Sequence, residues 1–431
     1  MSTMNDKLTS LLGWVDARFP LTANWKSHVS EYYAPKNFNF WYYFGSLAML
    51  VLVIQIVTGI FLVMHFKPDA TLNASGVPVA FASVEYIMRD VPWGWLIRYM
   101  HSTGASAFFI VIYLHMFRGL LYGSYRKPRE LIWIFGMLIF LCLMAEAFFG
   151  YLLPWGQMSF WGAQVIVNLF SAIPFIGPDL SLWIRGDYVV GDATLNRFFS
   201  FHVIAVPLVL LGLVMAHLLA LHEVGSNNPD GIEIKKKKGA DGIPLDGIAF
   251  HPYYTLKDMV GVVVFLAVFS IILFFMPEGG GYFLEYNNFF PADPLQTPPH
   301  IAPVWYFTPY YSILRAVTYP LFGIDAKFWG VVAMGASTLI IILLPWLDRS
   351  PVKSIRYRGP ITKTMLALFV VAFFILGFLG TKPPSYEFFG MIPGAPVAQL
   401  LSVYYFLFFL TMPVWSSLDR CQPEPDRVTS K

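Results

Sequence analysis

Long apolar runs separated by polar connections dominate the hydropathy pattern of this chain. A run of about 20 apolar residues is long enough to cross a bilayer as a helix, and eight such runs are present. Numbered first to eighth in chain order, the predicted spans cover residues 39–66, 94–121, 131–153, 198–221, 256–276, 326–347, 363–380 and 398–415. The pattern predicts an all-α integral membrane protein with eight transmembrane helices.

The longest connections follow the first, third, fourth and fifth spans. Residues 155–195 have the pattern of short interfacial helices with turns, and residues 277–325 are rich in Pro and Gly around an aromatic cluster. We therefore divide the chain into an N-terminal segment 1–38, a bundle 39–225, a loop 226–254, a C-terminal helical region 255–417 and a tail 418–431.

Composition supports the membrane assignment. The chain is 57% hydrophobic and 13% charged, whereas soluble domains carry about 25% charged residues. The first 35 residues lack an apolar core followed by a cleavage site, so we expect no removable signal peptide. The two cysteines, Cys142 and Cys421, exclude a disulfide scaffold and a Cys-rich metal site, and a C-x-x-C-H attachment motif for c-type haem is absent from the sequence.

The distribution of basic residues predicts the orientation. If the N-terminus is cytoplasmic, most of the 29 Lys and Arg residues fall on the cytoplasmic side, as the positive-inside rule requires. Both termini are then cytoplasmic. The lysine run 235–238 lies in a cytoplasmic loop, where it is either a lipid or partner site or, more commonly, a solvated segment.

Histidines recur at matched intervals in two spans. The second span contains His101 and His115, which are fourteen positions apart. At about 100° and 1.5 Å per residue, the two rings share one helix face and lie about 21 Å apart. The fourth span contains His202 and His217, which are fifteen positions apart and share a face less closely. Pro207 lies between them, and a proline kink can absorb the extra residue.

The second and fourth spans run in the same direction, so their histidines are expected to pair by depth. His101 then faces His202, and His115 faces His217. Two facing imidazoles are a known way to hold haem iron. A single membrane histidine often hydrogen-bonds within its bundle instead, but intramembrane ionisable residues are rare and costly. Four in matched pairs therefore favour two haem sites.

Glycines repeat the same interval on the neighbouring spans. Gly45 and Gly59 on the first span, and Gly136 and Gly150 on the third, are each fourteen positions apart. Such glycines commonly serve helix packing, but they also let a flat ring lie against the backbone. The two pairs predict that the first four spans form a di-haem four-helix bundle.

Two arginines lie one turn beyond the second-span histidines, toward the nearer membrane surface. Arg98 precedes His101 by three residues, and Arg118 follows His115 by three. An acidic haem propionate is expected at these depths. The alternative is that each arginine extends its charged head to the interface without a partner.

Further segments carry a family pattern: FNFWYYFGSL, QIVTGIFLVMHF, IRYMHSTGAS, FFGYLLPWGQMSFWGAQVIVNLFSAIPFIG, LNRFFSFHVIAVPL, HLLALHEVGSNNP, FHPYYTLKDM and APVWYFTPYYSILRAV. With the histidines and glycines, they resemble cytochrome b of the quinol:cytochrome c oxidoreductases over nearly the whole chain. The resemblance implies two non-covalent b-type haems. The low-potential haem lies on the outer side at His101 and His202, and the higher-potential haem on the cytoplasmic side at His115 and His217.

The resemblance also implies two quinone sites. An outer site oxidises quinol and is built from the segment 150–162 and the stretch 303–311; its matching residues are Gly162, Pro303, Trp305, Tyr306 and Tyr311. A cytoplasmic site reduces quinone; its matching residues are His222, Ser226, Lys257 and Asp258. One electron from quinol goes to a Rieske iron–sulfur partner and the other enters the haems.

Other implied features are a cytochrome c1-type subunit, ubiquinone or another quinone as substrate, membrane lipid and a homodimeric complex, with no nucleic acid. The eight fused spans favour the respiratory type over the split chloroplast type. The long tails and the lysine run favour a bacterial inner membrane.

Two departures from the family pattern stand out. The outer-site motif usually carries Glu between Pro and Trp, but here Val304 occupies that position and cannot accept a proton. Tyr311, or alternatively water, is then expected to bind the quinol ring oxygen, with a water chain to an outer haem propionate taking the proton. The second departure is the interval of fifteen between the fourth-span histidines, which is fourteen in many relatives and fifteen in the chloroplast-type branch.

Two other protein classes can present polar residues within many spans. A secondary transporter often shows an inverted repeat, which this sequence lacks, and it gives no reason for the regularly spaced pairs. A membrane haem anchor for a dehydrogenase lacks a second half with an APVWY stretch. A redox enzyme subunit is therefore the favoured interpretation.

Overall fold

The computed structural model describes residues 4–429, and its architecture is a bundle of membrane-spanning helices. Within this range, seven helices are long and apolar enough to cross a bilayer: Phe40–Val63, Gly94–Tyr122, Glu130–Leu152, Asp192–Val224, Phe250–Phe275, Ala326–Leu347 and Pro360–Gly380. Two further helices, Gly394–Leu410 and Met412–Leu418, make an eighth span if the bent pair is counted as one. The predicted all-α membrane fold is confirmed.

The eighth span is bent by 64° around Thr411. Pro413 lacks an N–H and interrupts the helical hydrogen bonds. The Thr411 hydroxyl donates to the Leu407 carbonyl at 2.6 Å, an arrangement that often bends helices. The Trp415 indole donates to the Phe408 carbonyl at 3.1 Å and satisfies one acceptor at the break. The sequence predicted one continuous run at 398–415, because hydropathy does not register such a break.

Shorter helices occupy the segments outside the spans. The α-helices are Met4–Asp16, Leu21–Trp25, Val79–Arg89, Gln157–Phe170, Gly177–Arg185 and Thr308–Ala316. Short 3-10 turns are Ile234–Lys236, Gly279–Gly281, Tyr286–Phe289 and Trp305–Phe307, and a π turn covers Lys26–Ser30. Two of these short helices lie within 155–195, where the sequence predicted short helices with turns; their interfacial position stays a prediction.

Two small antiparallel strand pairs tie loops together. Tyr33–Pro35 pairs with Gly247–Ala249, and Glu387–Phe388 pairs with Ile392–Pro393. The first pair fastens the N-terminal segment to the loop before the fifth span. Asp246, next to that pair, meets Lys36 at 3.0 Å and Arg427 at 2.7 Å.

Charged side chains join the loops at this same end of the bundle. Glu233 bonds to the Arg129 guanidinium at 2.6 Å and also to Lys353. The side chains of residues 235–238 are exposed, which favours a solvated segment for the lysine run. Lys235 donates to the Glu223 carbonyl at 2.7 Å, where a cation complements the C-terminal end of the fourth span.

The helix Thr308–Ala316 packs into the sixth, seventh and eighth spans and positions the segment before it. Ser312 donates to the Leu376 carbonyl at 2.6 Å. Arg315 donates to the carbonyls of Leu379 at 2.6 Å and Lys382 at 2.9 Å, and so caps the seventh span. These bonds fix residues 303–307 against the helices.

Candidate functional site: paired histidines and a loop cavity

The structure brings the four span histidines together as two facing pairs. The ring centroids of His101 and His202 are 6.1 Å apart, with the rings nearly perpendicular at 88°. Those of His115 and His217 are 6.5 Å apart at 61°. Each pair joins the second span to the fourth, as the sequence predicted.

Hydrogen bonds orient the rings of the first pair. His101 Nδ1 lies 2.9 Å from the Thr58 hydroxyl, which already donates to the Ile54 carbonyl and must therefore accept. His202 Nδ1 lies 3.0 Å from the Glu146 carbonyl, another acceptor. Both Nδ1 atoms thus carry the proton, so that Nε2 keeps the lone pair needed for a metal. Sequence reasoning missed Thr58 and Glu146, because neither lies at the repeating interval.

Each of the four predicted glycines lies against one histidine ring. A Cβ on Gly45 meets His115 Cε1 at 3.3 Å, one on Gly59 meets His101 Cε1 at 3.3 Å, and one on Gly136 meets His217 Cε1 at 3.4 Å. At Gly150 a Cβ meets His202 Nδ1 at 2.8 Å, closer than real side chains approach. The absence of side chains at these positions therefore makes room for the imidazoles.

A π turn explains the longer histidine interval in the fourth span. Phe201–Ala205 is π-helical and includes His202. A π turn takes one more residue than an α turn, so it absorbs the extra residue between His202 and His217. Pro207 follows in the first turn of the next α-helical segment, where its missing N–H removes no hydrogen bond within that helix. The sequence had assigned the compensation to a proline kink; the structure places it in the π turn just before the proline.

Each of the two predicted arginines lies one helical turn from a histidine of one pair. The Arg118 guanidinium stacks 5.0 Å from the Tyr42 ring centroid. Its Nε is buried and, among the residues that the structure describes, has no hydrogen-bond partner. A buried donor of this kind requires an acceptor, and a carboxylate suits a guanidinium. Arg98 is partly buried one turn before His101.

The residues of both pairs fit two b-type haems. A metal–imidazole bond of about 2 Å on each side fills most of the 6.1 Å and 6.5 Å between ring centroids. The glycines leave space for the imidazole rings beside the neighbouring helices. The arginines could pair with the acidic propionates of the haems. The set of donors and the spacing match bis-imidazole ligation.

A cavity of about 350 Å³, here called the loop cavity, lies beneath the loop after the fifth span. This volume is within the range of small-ligand sites. Its walls include Met158, Tyr282, Glu285, His300, Pro303 and Trp305. Pro303 and Trp305 were predicted for an outer quinol site, and the Trp305 indole is held by the Ser106 hydroxyl at 3.1 Å.

The other residues predicted for this site lie behind or beside the cavity. Tyr306 is buried and stacks on Phe109 at 3.9 Å. Tyr311 lies under the Arg315 guanidinium, 4.7 Å from it, and is outside the cavity walls. Gly162 lies beside Tyr151, whose ring is 3.7 Å from where a Cβ would stand. The structure therefore brings only part of the predicted set to the cavity.

A carboxylate at the cavity wall was not predicted from the sequence. Glu285 accepts a hydrogen bond from the Tyr151 hydroxyl at 2.6 Å. Burial raises the pKa of the Glu285 carboxyl above its usual range, and the hydrogen bond from Tyr151 opposes that rise. The long stretch of chain between the two partners hides the pairing from any local pattern.

The opposite end of the bundle gathers His222 with residues of the N-terminal segment. The His222 ring centroid lies 4.6 Å from that of Tyr32 and 5.0 Å from that of His28. The Tyr32 hydroxyl is 3.5 Å from the Ser226 hydroxyl. Tyr32 thus joins the two predicted residues, while His28 and Tyr32 themselves were missed because the N-terminal segment showed no hydropathy signal.

Lys257 and Asp258 lie on the fifth span, and the Asp258 side chain hydrogen-bonds with Ser46 of the first span. The Lys257 ammonium is 4.5 Å from the ring centroid of Tyr253, a cation–π contact. Asp258 is partly buried at the next position. Tyr32 reaches this helix through Phe250, at 6.2 Å between ring centroids. The link from His222 to the fifth span therefore runs through aromatic rings.

Comparison with known proteins gives the family. The model described as "Cytochrome b/b6/petB" matches residues 29–225, and the model described as "Cytochrome b(C-terminal)/b6/petD" matches residues 291–409. A "Cytochrome b" of Allochromatium vinosum is 63% identical, covering 99% of this chain and 100% of that protein. The chain belongs to the cytochrome b family. A "Cytochrome b" of Triticum aestivum is 45% identical, covering 94% of this chain and 93% of that protein.

A solved structure extends this result to the assembly. A chain of a "Hyperthermophilic respiratory Complex III" is similar with a TM-score of 0.81 and 40% identity, covering 94% of this chain and 98% of that one. The chain is therefore a multi-pass membrane protein and the core subunit of a ubiquinol–cytochrome c oxidoreductase of the bc1 type. Membership of the cytochrome b family implies that the chain binds b-type haem.

Proposed function

We propose that the chain holds two b-type haems, one between His101 and His202 and the other between His115 and His217. Quinol is oxidised at the loop cavity, on the outer side of the membrane. Quinone is reduced near His222, on the cytoplasmic side. Proton release outside and uptake inside then contribute to the proton motive force.

The observation that supports this proposal most strongly is that two facing histidine pairs lie at two depths of the bundle. Ring separations of 6.1 Å and 6.5 Å recur at two depths of one bundle, and each ring has a glycine against it. Helix packing alone gives no reason for this repetition. Bound haems supply one-electron carriers at the two depths, and the protein residues orient them and hold their acidic groups.

At the loop cavity, the chain supplies the walls and the fixed polar groups. Pro303 and Trp305 close one side, and the Ser106 bond holds the indole in place. The cavity lies close to the first histidine pair along the backbone, because Tyr151 next to it follows Gly150, which contacts His202. A quinol bound there can lose electrons toward both this pair and an external partner.

At the other end, the residues offer protons and hydrogen bonds to a quinone. His222 and Ser226 meet at Tyr32, and Lys257 and Asp258 lie on the adjoining fifth span. Reduction of quinone to quinol requires two protons, which His and Asp side chains at an aqueous edge can deliver. We include His28 in this site because its ring packs on His222.

The proposed partners follow from membership of complex III. A Rieske iron–sulfur protein accepts the first electron from quinol, and a cytochrome c1-type subunit carries it onward. We place the complex, as a homodimer, in a bacterial inner membrane with both termini of this chain in the cytoplasm. The basic loops around Glu233 and the lysine run then face the cytoplasm.

The variant Asp258→Asn tests the division between the two quinone sites. We expect reoxidation of the haem at His115 and His217 to slow by at least about tenfold, because a proton donor is lost. Its initial reduction by ubiquinol should remain intact. Stopped-flow spectroscopy of the purified complex measures both steps.

The matched control for this experiment is Asp241→Asn, which removes an exposed carboxylate from the preceding loop. It should change neither rate. If Asp258→Asn instead blocks haem reduction by ubiquinol and leaves reoxidation unaffected, the two sites are the wrong way round.

A further inference from the structure

Glu285 is a carboxylate in the wall of the loop cavity that has no role in the proposed function so far. Its side chain accepts a hydrogen bond from Tyr151 at 2.6 Å. Tyr151 directly follows Gly150, which contacts His202 of the first histidine pair. The carboxylate therefore stands between the cavity and the part of the bundle that holds this pair.

The loop that carries Glu285 is held firmly against the segment after the third span. The Asn288 side-chain oxygen accepts from the Ser159 backbone N–H at 2.9 Å. Two backbone bonds join the same segments, Gln157 N–H to the Phe290 carbonyl at 3.0 Å and Ala292 N–H to the Trp155 carbonyl at 2.9 Å. Glu285 is thus fixed relative to the cavity, as a group that receives a proton from a bound ligand must be.

Position 304 cannot provide a proton acceptor. Val304 is 5% exposed and belongs to the largest apolar cluster of the protein. Its neighbours Pro303 and Trp305 line the loop cavity, and the loop that directly follows the fifth span brings the Glu285 carboxylate to that cavity.

We propose that Glu285 accepts the second proton of quinol at the loop cavity and so replaces the carboxylate that position 304 lacks. This inference rests on the proposed function of the cavity. It assigns Glu285 as a catalytic residue and Tyr151 as the residue that positions it. It also replaces the water route to a haem propionate that the sequence alone suggested.

Oxidation of quinol to quinone at the cavity removes two O–H protons and two electrons. One electron and one proton would leave to the Rieske partner, and the other electron would go to the haem that His101 and His202 would hold. The second O–H bond breaks as a new O–H bond forms on the Glu285 carboxylate. Because the loop lies at the outer end of the bundle, Glu285 then releases this proton to the outer aqueous phase.

The electrostatics of Glu285 suit this role. Burial raises the pKa of its carboxyl above the ordinary range, opposed by the hydrogen bond from Tyr151. A base whose pKa lies nearer the working pH is more effective. Only the ionised form accepts a proton, so the oxidation rate should rise as pH rises through this pKa. The titratable groups that face Glu285 or share the cavity are Tyr151, Tyr306, Tyr282, Tyr286 and His300.

His300 is the competing acceptor. Its Nε2 lies 3.1 Å from the Thr381 carbonyl and must donate to it, which leaves Nδ1 able to take a proton. The pH profile separates the two groups. If Glu285 is the acceptor, the rising limb disappears in Glu285→Gln. A limb that persists unchanged shows that another group accepts the proton, and it overturns the proposal.

The primary test is Glu285→Gln in the intact complex, with decyl-ubiquinol as the substrate and the cytoplasmic site blocked by an inhibitor. We expect reduction of the first haem to slow by about 100-fold, the usual contribution of a positioned base. Glu278→Gln removes an exposed carboxylate from the same loop and should leave the rate unchanged. An unchanged rate in Glu285→Gln contradicts the proposal.

Infrared difference spectroscopy gives a readout that does not depend on turnover. Decyl-ubiquinol oxidation in the native complex should produce the band of a protonated carboxyl group, and this band should be absent in Glu285→Gln. Haem content, measured in the same samples, should be equal in both proteins. A band that survives the substitution assigns the proton to another group and overturns the proposal.

Two further variants complete the test. Val304→Glu in the native background, assayed in complex that retains both haems, should not raise the rate, because the cavity already has a carboxylate; a many-fold gain shows that an efficient acceptor is missing and contradicts the role of Glu285. Ala302→Trp fills the cavity and should abolish quinol oxidation with haem retained. If Ala302→Trp still oxidises quinol, the proposed quinol site is wrong. If Ala302→Trp is inactive but Glu285→Gln keeps full activity, the site stands and only the role of Glu285 as proton acceptor is overturned.

Discussion

Replacing His217 by leucine should remove one of the two haems and leave the other in place. Leucine cannot ligate iron, and the facing His115 alone, 6.5 Å away between ring centroids, provides only one axial ligand. The first pair is held separately by Thr58 and the Glu146 carbonyl, so its haem should persist. Quantitative haem extraction and reduced-minus-oxidised spectra of the purified complex measure this result.

The control for this prediction is His222→Leu, further along the same helix. His222 packs on His28 and Tyr32 rather than on a histidine of the second span. Both haems should remain in this variant, although the rate of quinone reduction should fall. Full occupancy of both haems in His217→Leu would show that the ligand assignment is wrong.

A side chain at Gly150 should have an effect of similar size. A Cβ there comes within 2.8 Å of His202 Nδ1, and valine adds two methyl groups. Overpacking of this kind commonly costs about 1–3 kcal/mol, and here the group displaced is itself a proposed iron ligand. We expect Gly150→Val to lose the haem of the first pair or to fail to assemble, as measured by haem content and the yield of complex.

The fourth span offers a matched control for that variant. A Cβ on Gly212 meets nothing within 4 Å, so Gly212→Val adds the same bulk on the surface of a membrane helix. It should assemble with both haems. If Gly150→Val gives normal haem spectra and stability, the glycine serves ordinary helix packing only.

The helices and the histidine pairing could be predicted from the sequence because both depend on regular intervals along single helices. Span length follows from bilayer thickness, and facing rings follow from helical rise and rotation. The glycines that contact the rings share the same interval for the same reason. Features that repeat with the helix are therefore readable from one chain.

The features that could not be predicted arise from local breaks or from contacts between distant segments. The π turn at Phe201–Ala205 and the 64° bend at Thr411 change the backbone without changing hydropathy. Glu285 meets Tyr151, and His222 meets His28 and Tyr32, across long stretches of chain. Such contacts depend on how the loops fold over the bundle ends, which periodicity does not determine.

The most direct test of the two-haem assignment is a potentiometric titration of the native complex, combined with the ratio of haem to this chain. We expect two b-type haems per chain that titrate with two distinct midpoint potentials, because the two histidine pairs differ in their hydrogen bonds and neighbouring charges. One haem per chain, or none, would contradict the assignment of two ligated histidine pairs.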